Sequence, residues 1–543
     1  MDVRDNEYYE ARAKDVKLED ITSDEYNAGI LAMLRDNDPE FTSISIHDEP
    51  DESDFLVQEG DDLGWFGYLV GKNEQVKGLS IMNFSNNFNL RKIDEFLRGL
   101  EHNRSIRTLD ISPSLGESFH RLIPFLSNND SLRNLTFHGG NIGLHCARSI
   151  ALLLGQESSL NRLNFEETNL GDAELIEIAS ALRIQPQLKV LNLGYNNIGR
   201  DGCVALGEGL RNPNLSTLDI EHNNIDDEGL CALVAGLKNC HNLTSLSLKM
   251  NIDDDGAAVL ATGLTSLVSL KNLNLSSNRI GDLGLVGGLM NCCNIEELDL
   301  SSNMLSDEGL QYLVDGMTQY CSLTELNLSH NSITAVGLRS LARLFRSGNC
   351  RLKELVLFGI DFGDEGAVAL ADGLRGNKSM RFLHFDAMGS SITASDWAAF
   401  SKLLCDTSSV NNTYLSNHTL EIIGEYGHGG VPSDIVQYQS FNELRGCNAV
   451  IRKILQSHPD IDMEPLLRWK LKCLPFVVRW HEMIKIYSVE VFLTESTESI
   501  ECRQLSAMYK FVRGMPQLTV NGYRREDISD VEVKSKKRKY DQT

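Results

Sequence analysis

The stretch Lys271–Leu285, KNLNLSSNRIGDLGL, decides how this chain folds. Leu273 and Leu275 alternate with Asn274 and Ser276, which predicts a short strand with one buried face and one open face. Asn278 ends that strand. Its amide both donates and accepts, so it can satisfy turn backbone between neighbouring coils. The frame L-x-x-L-x-L-x-x-N-x-I/L then recurs. It reads Leu188, Leu191, Leu193, Asn196, Ile198, then Leu215, Leu218, Ile220, Asn223, Ile225, and later Leu323, Leu326, Leu328, Asn331, Ile333. Its middle position falls at Leu79, Leu109, Leu135, Leu163, Leu191, Leu218, Leu246, Leu273, Leu298, Leu326, Leu355 and Leu383, at spacings of 25 to 30 residues.

A helical signature follows each strand, as in Asp227–Leu237, DEGLCALVAGL. Gly229, Leu233 and Leu237 lie four apart and share one helical face. Acids in the first turn suit the positive end of the helix dipole. The glycines at 202, 229, 256, 309, 337 and 366 are expected to bring the helix start close against the strand. A period near 28 residues is the mark of leucine-rich repeats. Parallel strands stack about 4.8 Å apart, whereas helices need about 8–10 Å. The mismatch bends such a chain into a right-handed α/β horseshoe solenoid, with parallel strands on the concave side and helices on the convex side. A small α-helical region is expected at the C-terminal end.

The net charge is −25. Residues 1–60 hold 18 acidic and 5 basic side chains, residues 61–420 carry −13, and residues 421–543 carry +1. Such acidity disfavours nucleic acid and anionic membrane as partners. The opening MDVRDNEYYEARAKD lacks the apolar core of a signal peptide, and no apolar run approaches a membrane span. The 12 cysteines include no C-x-x-C pair. Cys240, Cys293, Cys321 and Cys350 recur where a helix hands over to a strand, a small buried slot. Reduced core cysteines fit a cytoplasmic or nuclear protein.

Taken in order, residues 1–40 read as an acidic, partly disordered N-terminal cap, with residues 1–22 unstructured and a helix after Ser23. Residues 41–420 hold about fourteen repeats. Phe41, Ile44 and Ile46 make a degenerate first strand, and Val410, Thr413, Leu415, His418 and Leu420 a weak last copy. Residues 421–523 form a helical C-terminal cap, including a helix over 442–455. Residues 524–543 are a disordered basic tail.

The frame and its D-E-G-x-x-x-L helices resemble the ribonuclease-inhibitor-like leucine-rich repeats, the subfamily of the Ran GTPase-activating protein and the repeat arms of NOD-like receptors. The segment His458–Pro475, with Met463-Glu-Pro465 and Trp469, looks like a tail found on microalgal repeat proteins. The resemblance implies a horseshoe and carries no catalytic residue onto this chain. His481-Glu482 lacks the second histidine of a zinc-protease motif. Gly427-His-Gly-Gly430 lacks the lysine and helix of a phosphate loop. Cys292-Cys293 sits at a repeat junction. No cofactor or metal site is expected.

The open strand positions carry acids: Asp110, Glu166, Asp219, Glu221, Glu297, Asp299, Glu325, Glu354 and Asp386, opposed by Arg162 and Lys249. This pattern predicts a face that binds a basic protein surface. The competing account is that these acids merely solubilise exposed strands. Tyr195, His222, Met250, His330, Phe358 and His384 lie at or beside the same face as candidate contact residues, Phe358 foremost. Lys534, Lys536, Lys537, Arg538 and Lys539 resemble a nuclear-import signal, or else form a solvated tail. Arg468, Trp469, Lys470, Lys472, Arg479 and Trp480 read as cap-helix residues. The leading expectation is a non-enzymatic interaction scaffold. The alternatives are a Ran-type GTPase activator and a substrate adaptor of a ubiquitin ligase.

Overall fold

A computed structural model of the protein describes residues 4–47, 55–56, 62–82, 90–111, 122–155, 159–183, 185, 187–210, 212–249, 252–283, 294–319, 322–386, 393–424, 431–444 and 447–458. Several expectations lie outside those residues: Met250, Cys292-Cys293, Cys321, the Gly427–Gly430 turn, and everything from Pro459 onward. The last group includes Trp469, His481-Glu482 and the Lys534–Lys539 tail. The chain divides into two compact units, Met1–Phe362 and Gly363–Thr543.

Among the described residues of the first unit, thirteen strands form one parallel sheet. They are β1 Ser43–His47, β2 Phe55–Leu56, β3 Gly78–Ile81, β4 Thr108–Ile111, β5 Asn134–Phe137, β6 Arg162–Asn164, β7 Val190–Asn192, β8 Thr217–Asp219, β9 Ser245–Ser247, β10 Asn272–Asn274, β11 Glu297–Asp299, β12 Glu325–Asn327 and β13 Glu354–Val356. From β3 onward each strand pairs with its neighbours in sequence; β1 lies beside β3, and the two-residue β2 forms the outer edge. The register places the frame leucines in a single file, from Leu79 opposite Leu109 to Leu326 opposite Leu355. Every leucine in that file is 6% exposed or less. Each buried leucine contributes about 1.5–3 kcal/mol of transfer free energy.

The helix predicted over Asp227–Leu237 has those bounds. Asp226 caps it, accepting from the Gly229 N–H at 2.8 Å. The glycines serve a different contact from the one expected. A side chain on Gly202 would strike Asp172 Oδ1 at 2.5 Å, and one on Gly229 would meet the Arg200 Cα at 3.1 Å. What they admit is the helix start of the preceding repeat. The first-turn acids act across the same junction: Asp172 accepts from the Gly199 N–H at 2.6 Å, and Asp307 from Thr334 and Gly337 at 2.7 and 2.9 Å.

Two asparagine files lock the coils. After the strands, Asn196 Nδ2 donates to the carbonyls of Phe165, Leu193 and Gly194 at 2.7–3.0 Å, while its Oδ1 accepts from Thr168 and Leu170. Asn223, Asn278, Asn303 and Asn331 repeat the pattern. A second file, before the strands, was not anticipated. Asn103 Nδ2 donates to the Val70 carbonyl at 2.7 Å, and Asn212 Nδ2 to those of Gln185 and Leu188 at 2.8 Å. Cys240 fills this slot, three residues before Leu243, and is buried. Cys350 stands one position later in its repeat and is only half-buried, so the four cysteines do not share one slot.

The leader differs from expectation. Asn6–Arg12 and Leu18–Ile21 are helices rather than unstructured chain. Tyr9 anchors the first of them: it is 1% exposed, its hydroxyl donates to Glu95 at 3.1 Å, and its ring meets Trp65 edge-on at 5.0 Å. Gly64 leaves the room that the Tyr9 ring occupies. Two adjacent tyrosines in an acidic stretch have no periodicity, so the sequence hid which of them is buried.

In the second unit the helix Gly363–Leu374 precedes β14, Phe382–His384, which pairs in parallel with β15, Ile422–Ile423. The weak last copy is therefore misplaced: Val410–Leu415 is a helix, and the strand lies where Leu420 and Ile423 are buried. Asn417, a member of the second asparagine file, sets that start by accepting from the Leu420 N–H at 3.0 Å. The expected helix over 442–455 is two, Ser433–Asn442 and Cys447–Ser457. Lys453, fully buried, donates to the carbonyls of Leu404 and Asn417 at 2.6 and 2.8 Å.

Candidate functional site

The three-residue strands β6 to β13 turn their middle leucine inward and their two flanking residues outward. Register makes each outward position a file across the sheet. One file runs Asn272, Glu297, Glu325, Glu354; the next runs Asn192, Asp219, Ser247, Asn274, Asp299, Asn327. Three glutamates thus stand directly opposite one another on successive strands, about 4.8 Å apart, an arrangement that repels.

Asp219, Glu221, Glu297, Asp299, Glu325 and Glu354 line one groove of about 410 Å³, together with serines, asparagines and Val356. Among its described lining residues there is no lysine or arginine. The pocket changes the acids. Burial pushes Asp219 up to about 6, with Glu221 and Glu166 adding repulsion. Glu325 is raised by burial, then by Glu297 and Glu354, with Lys353 partly offsetting. The polar neighbours hold the carboxylates. Asn327 Nδ2 donates to Asp299 at 3.3 Å, the Ser247 hydroxyl to Glu221 at 3.3 Å, and Asn272 to Glu297.

The aspartates and asparagines of the second file also have a scaffold task. Asp219 Oδ1 accepts from the Glu221 N–H at 3.0 Å, and Asp299 Oδ1 from Ser301 at 2.8 Å. Asn164, Asn192, Asn274 and Asn327 do the same with their amide oxygens, at 2.9–3.1 Å. The task needs an oxygen and not a charge.

Five of the eight predicted contact residues therefore meet in the groove: Asp219, Glu221, Glu297, Asp299 and Glu325. Glu166 lies outside its lining, exposed and accepting from Asn192 Nδ2 at 3.0 Å. Phe358 is half-buried two residues past β13, its N–H donating to the Ser329 hydroxyl at 3.0 Å. Asp386, half-buried, belongs to the second unit. Asp110 lies on β4, 3.9 Å from His138. The continuous glutamate file was legible only once the register was known.

The residues fixed so far are those of the frame and its files. The family model described as Leucine Rich repeat matches six stretches, 186–207, 211–234, 266–287, 291–314, 321–342 and 348–371. The chain is a leucine-rich-repeat protein. No curated protein sequence matches it. Among solved structures this repeat protein is similar to an internalin, InlF, from Listeria monocytogenes, at 20% identity and TM-score 0.34 over 60% of this chain and 94% of that one. It is similar to a chain of the yeast Rad7–Elc1 complex at 14% and 0.38, over 64% and 85%. It is also similar to TLR13 in complex with ssRNA13 at 17% and 0.36; that match covers 59% of this chain and 40% of the TLR13 chain. These likenesses are of fold alone.

Among the described residues no group of three or more His, Cys, Asp or Glu is placed to hold a metal ion, and no helix is long and apolar enough to cross a membrane. A cleft of about 750 Å³ in the second unit is lined by Trp397, Cys405, Asp434 and Tyr438. Burial pushes the Cys405 thiol up, which disfavours the thiolate that nucleophilic chemistry needs.

Proposed function

We propose that this repeat protein is a non-enzymatic interaction scaffold whose acidic strand face receives a basic surface of a protein partner. One observation carries it: Asp219 and Asp299 fill positions where asparagine performs the same structural task in four other repeats. Their charge is therefore surplus to folding, and at Asp219 it is held against a penalty of burial. A cation docked in the groove relieves that penalty and the repulsion along Glu297, Glu325 and Glu354. The strands are short and cross-braced by asparagine files, so little ordering entropy is lost on binding.

The D-E-G helix signature supports placing the chain in the ribonuclease-inhibitor-like subfamily. We assign it to the cytoplasm or nucleus, with Lys534–Lys539 as the import element; replacing Lys536, Lys537 and Arg538 by alanine is expected to shift a fluorescent fusion out of the nucleus. Glu166, Phe358 and Asp386 are retained as outlying contacts. The scaffold reading is tested by affinity capture with Asp219→Asn/Asp299→Asn against the natural chain. Partners should be lost and the salt sensitivity of those remaining should fall; an unchanged partner set at every salt concentration refutes it.

A further inference from the structure

The face is edged by the residues three past the strand ends: Glu167, Tyr195, His222, Ser277, Ser302 and His330. All six hold left-handed backbone, with φ between 50° and 57°. Each N–H of this file donates to a carbonyl of the next repeat, as Tyr195 does to Glu221 at 2.9 Å and Ser277 to Ser301 at 2.8 Å. Nothing in that geometry asks for an aromatic ring, because Ser277 and Ser302 meet it equally well. Bulky side chains are uncommon in this conformation. Yet Tyr195 and His222 occupy adjacent rungs, their rings stacked at 4.2 Å and 12°. Tyr195 remains 42% exposed, a large apolar plane open to water.

Acids surround that plane. Glu166 and Glu167 stand on the rung before Tyr195, and Glu221 directly precedes His222; burial and then the Glu221 charge raise the Tyr195 phenol. Asp219 stands in the strand two residues earlier. We infer, on the docking-surface reading above, that the Tyr195–His222 pair is an anchor for an arginine of the basic partner. A guanidinium is flat and weakly hydrated, so it stacks on an exposed ring. Its fork also donates two parallel hydrogen bonds to one carboxylate, and Asp219 and Glu221 stand within the same repeat as His222. A lysine ammonium is compact and strongly hydrated and gains less from the plane. An anionic or purely apolar partner would meet the carboxylates of Glu166, Asp219 and Glu221 unpaired.

The test titrates the full chain with two synthetic peptides of equal length and charge, one with arginine and one with lysine as its only cations. The arginine peptide should bind about five- to tenfold more tightly. In Tyr195→Ser/His222→Ser, where serine is the residue of two other rungs, the arginine peptide should lose most of that advantage and the lysine peptide should weaken much less. A natural chain that binds both peptides equally, or a preference undiminished by the double substitution, overturns the anchor. Asp299→Asn/Glu325→Gln separates the two readings. It should weaken both peptides alike and leave the arginine preference intact. If it weakens neither, the acidic-groove reading fails while a surviving ring-dependent preference still upholds the anchor. If neither peptide binds the natural chain, both fail.

Discussion

Replacing Asp219 by asparagine should move stability and binding in opposite directions. The Asp219 carboxyl is raised from its ordinary 3.8 to about 6, first by burial and then by Glu221 and Glu166. A raised acid binds its proton more tightly when folded than when unfolded, so ionisation costs stability. The sign follows from the two limits. Above pH 6 the carboxyl is ionised in both states and the whole penalty is present; below about pH 4 it is protonated in both and the penalty is gone. At about 1.4 kcal/mol per pH unit the full penalty is about 3 kcal/mol. Solvent at the open side of the groove screens part of it, leaving about 1–2 kcal/mol. The amide oxygen of asparagine can still accept from the Glu221 N–H, as Asn192 does from Gly194 at 2.9 Å. Asp219→Asn should therefore raise the urea midpoint at pH 8 by the equivalent of about 1–2 kcal/mol, falling to about half to four-fifths of that gain at pH 5 and vanishing below about pH 4. The same variant should bind a cationic peptide about tenfold more weakly at pH 8. A loss of stability at pH 8 would mean that the charge serves the fold. Unchanged peptide affinity would mean that it serves no partner.

Three further outcomes follow from the packing. Asn196→Ala removes the donor to three carbonyls and the acceptor for two N–H groups; it should cost about 2–4 kcal/mol, read from the urea midpoint, with Asn196→Asp losing at least as much at pH 8 because its second oxygen would face those carbonyls. Gly236→Ala would drive a methyl group into the Gly207 carbonyl of the neighbouring helix and should cost about 1–3 kcal/mol, whereas Gly143→Ala, whose added methyl group would meet nothing within 4 Å, should be nearly neutral in the same assay. Lys453 is lowered from 10.5 to about 7 by burial, with Cys405 acting the other way; His418 beside it is lowered first by its own burial and then by the Lys453 charge. Between pH 7 and 10.5 the unfolded chain holds that proton and the folded chain does not, so stability rises with pH there, by at most about 1.4 kcal/mol per unit. Measured against Lys453→Met, the natural chain should therefore gain stability from pH 7 to pH 9. A flat difference would refute the burial.

Periodicity was enough to read the repeat, the inward leucine file, the helix over Asp227–Leu237 and the alternation that turns Asp219, Glu297, Asp299 and Glu325 outward. These follow from periodicity, because a three-residue strand has only two faces and the frame leucine claims one. Tertiary structure decided what periodicity cannot carry. Register between strands set Glu297, Glu325 and Glu354 side by side, since residues about 28 apart become neighbours only when the coils stack. Burial in the resulting groove, a property of the assembled sheet, raised Asp219. Tyr9 found its place among Trp65 and Glu95 through a contact about 56 to 86 residues away, which no local pattern announces. The last strand moved from Thr413 to Ile422 because Asn417, by capping the buried Leu420, fixed where the coil could begin again.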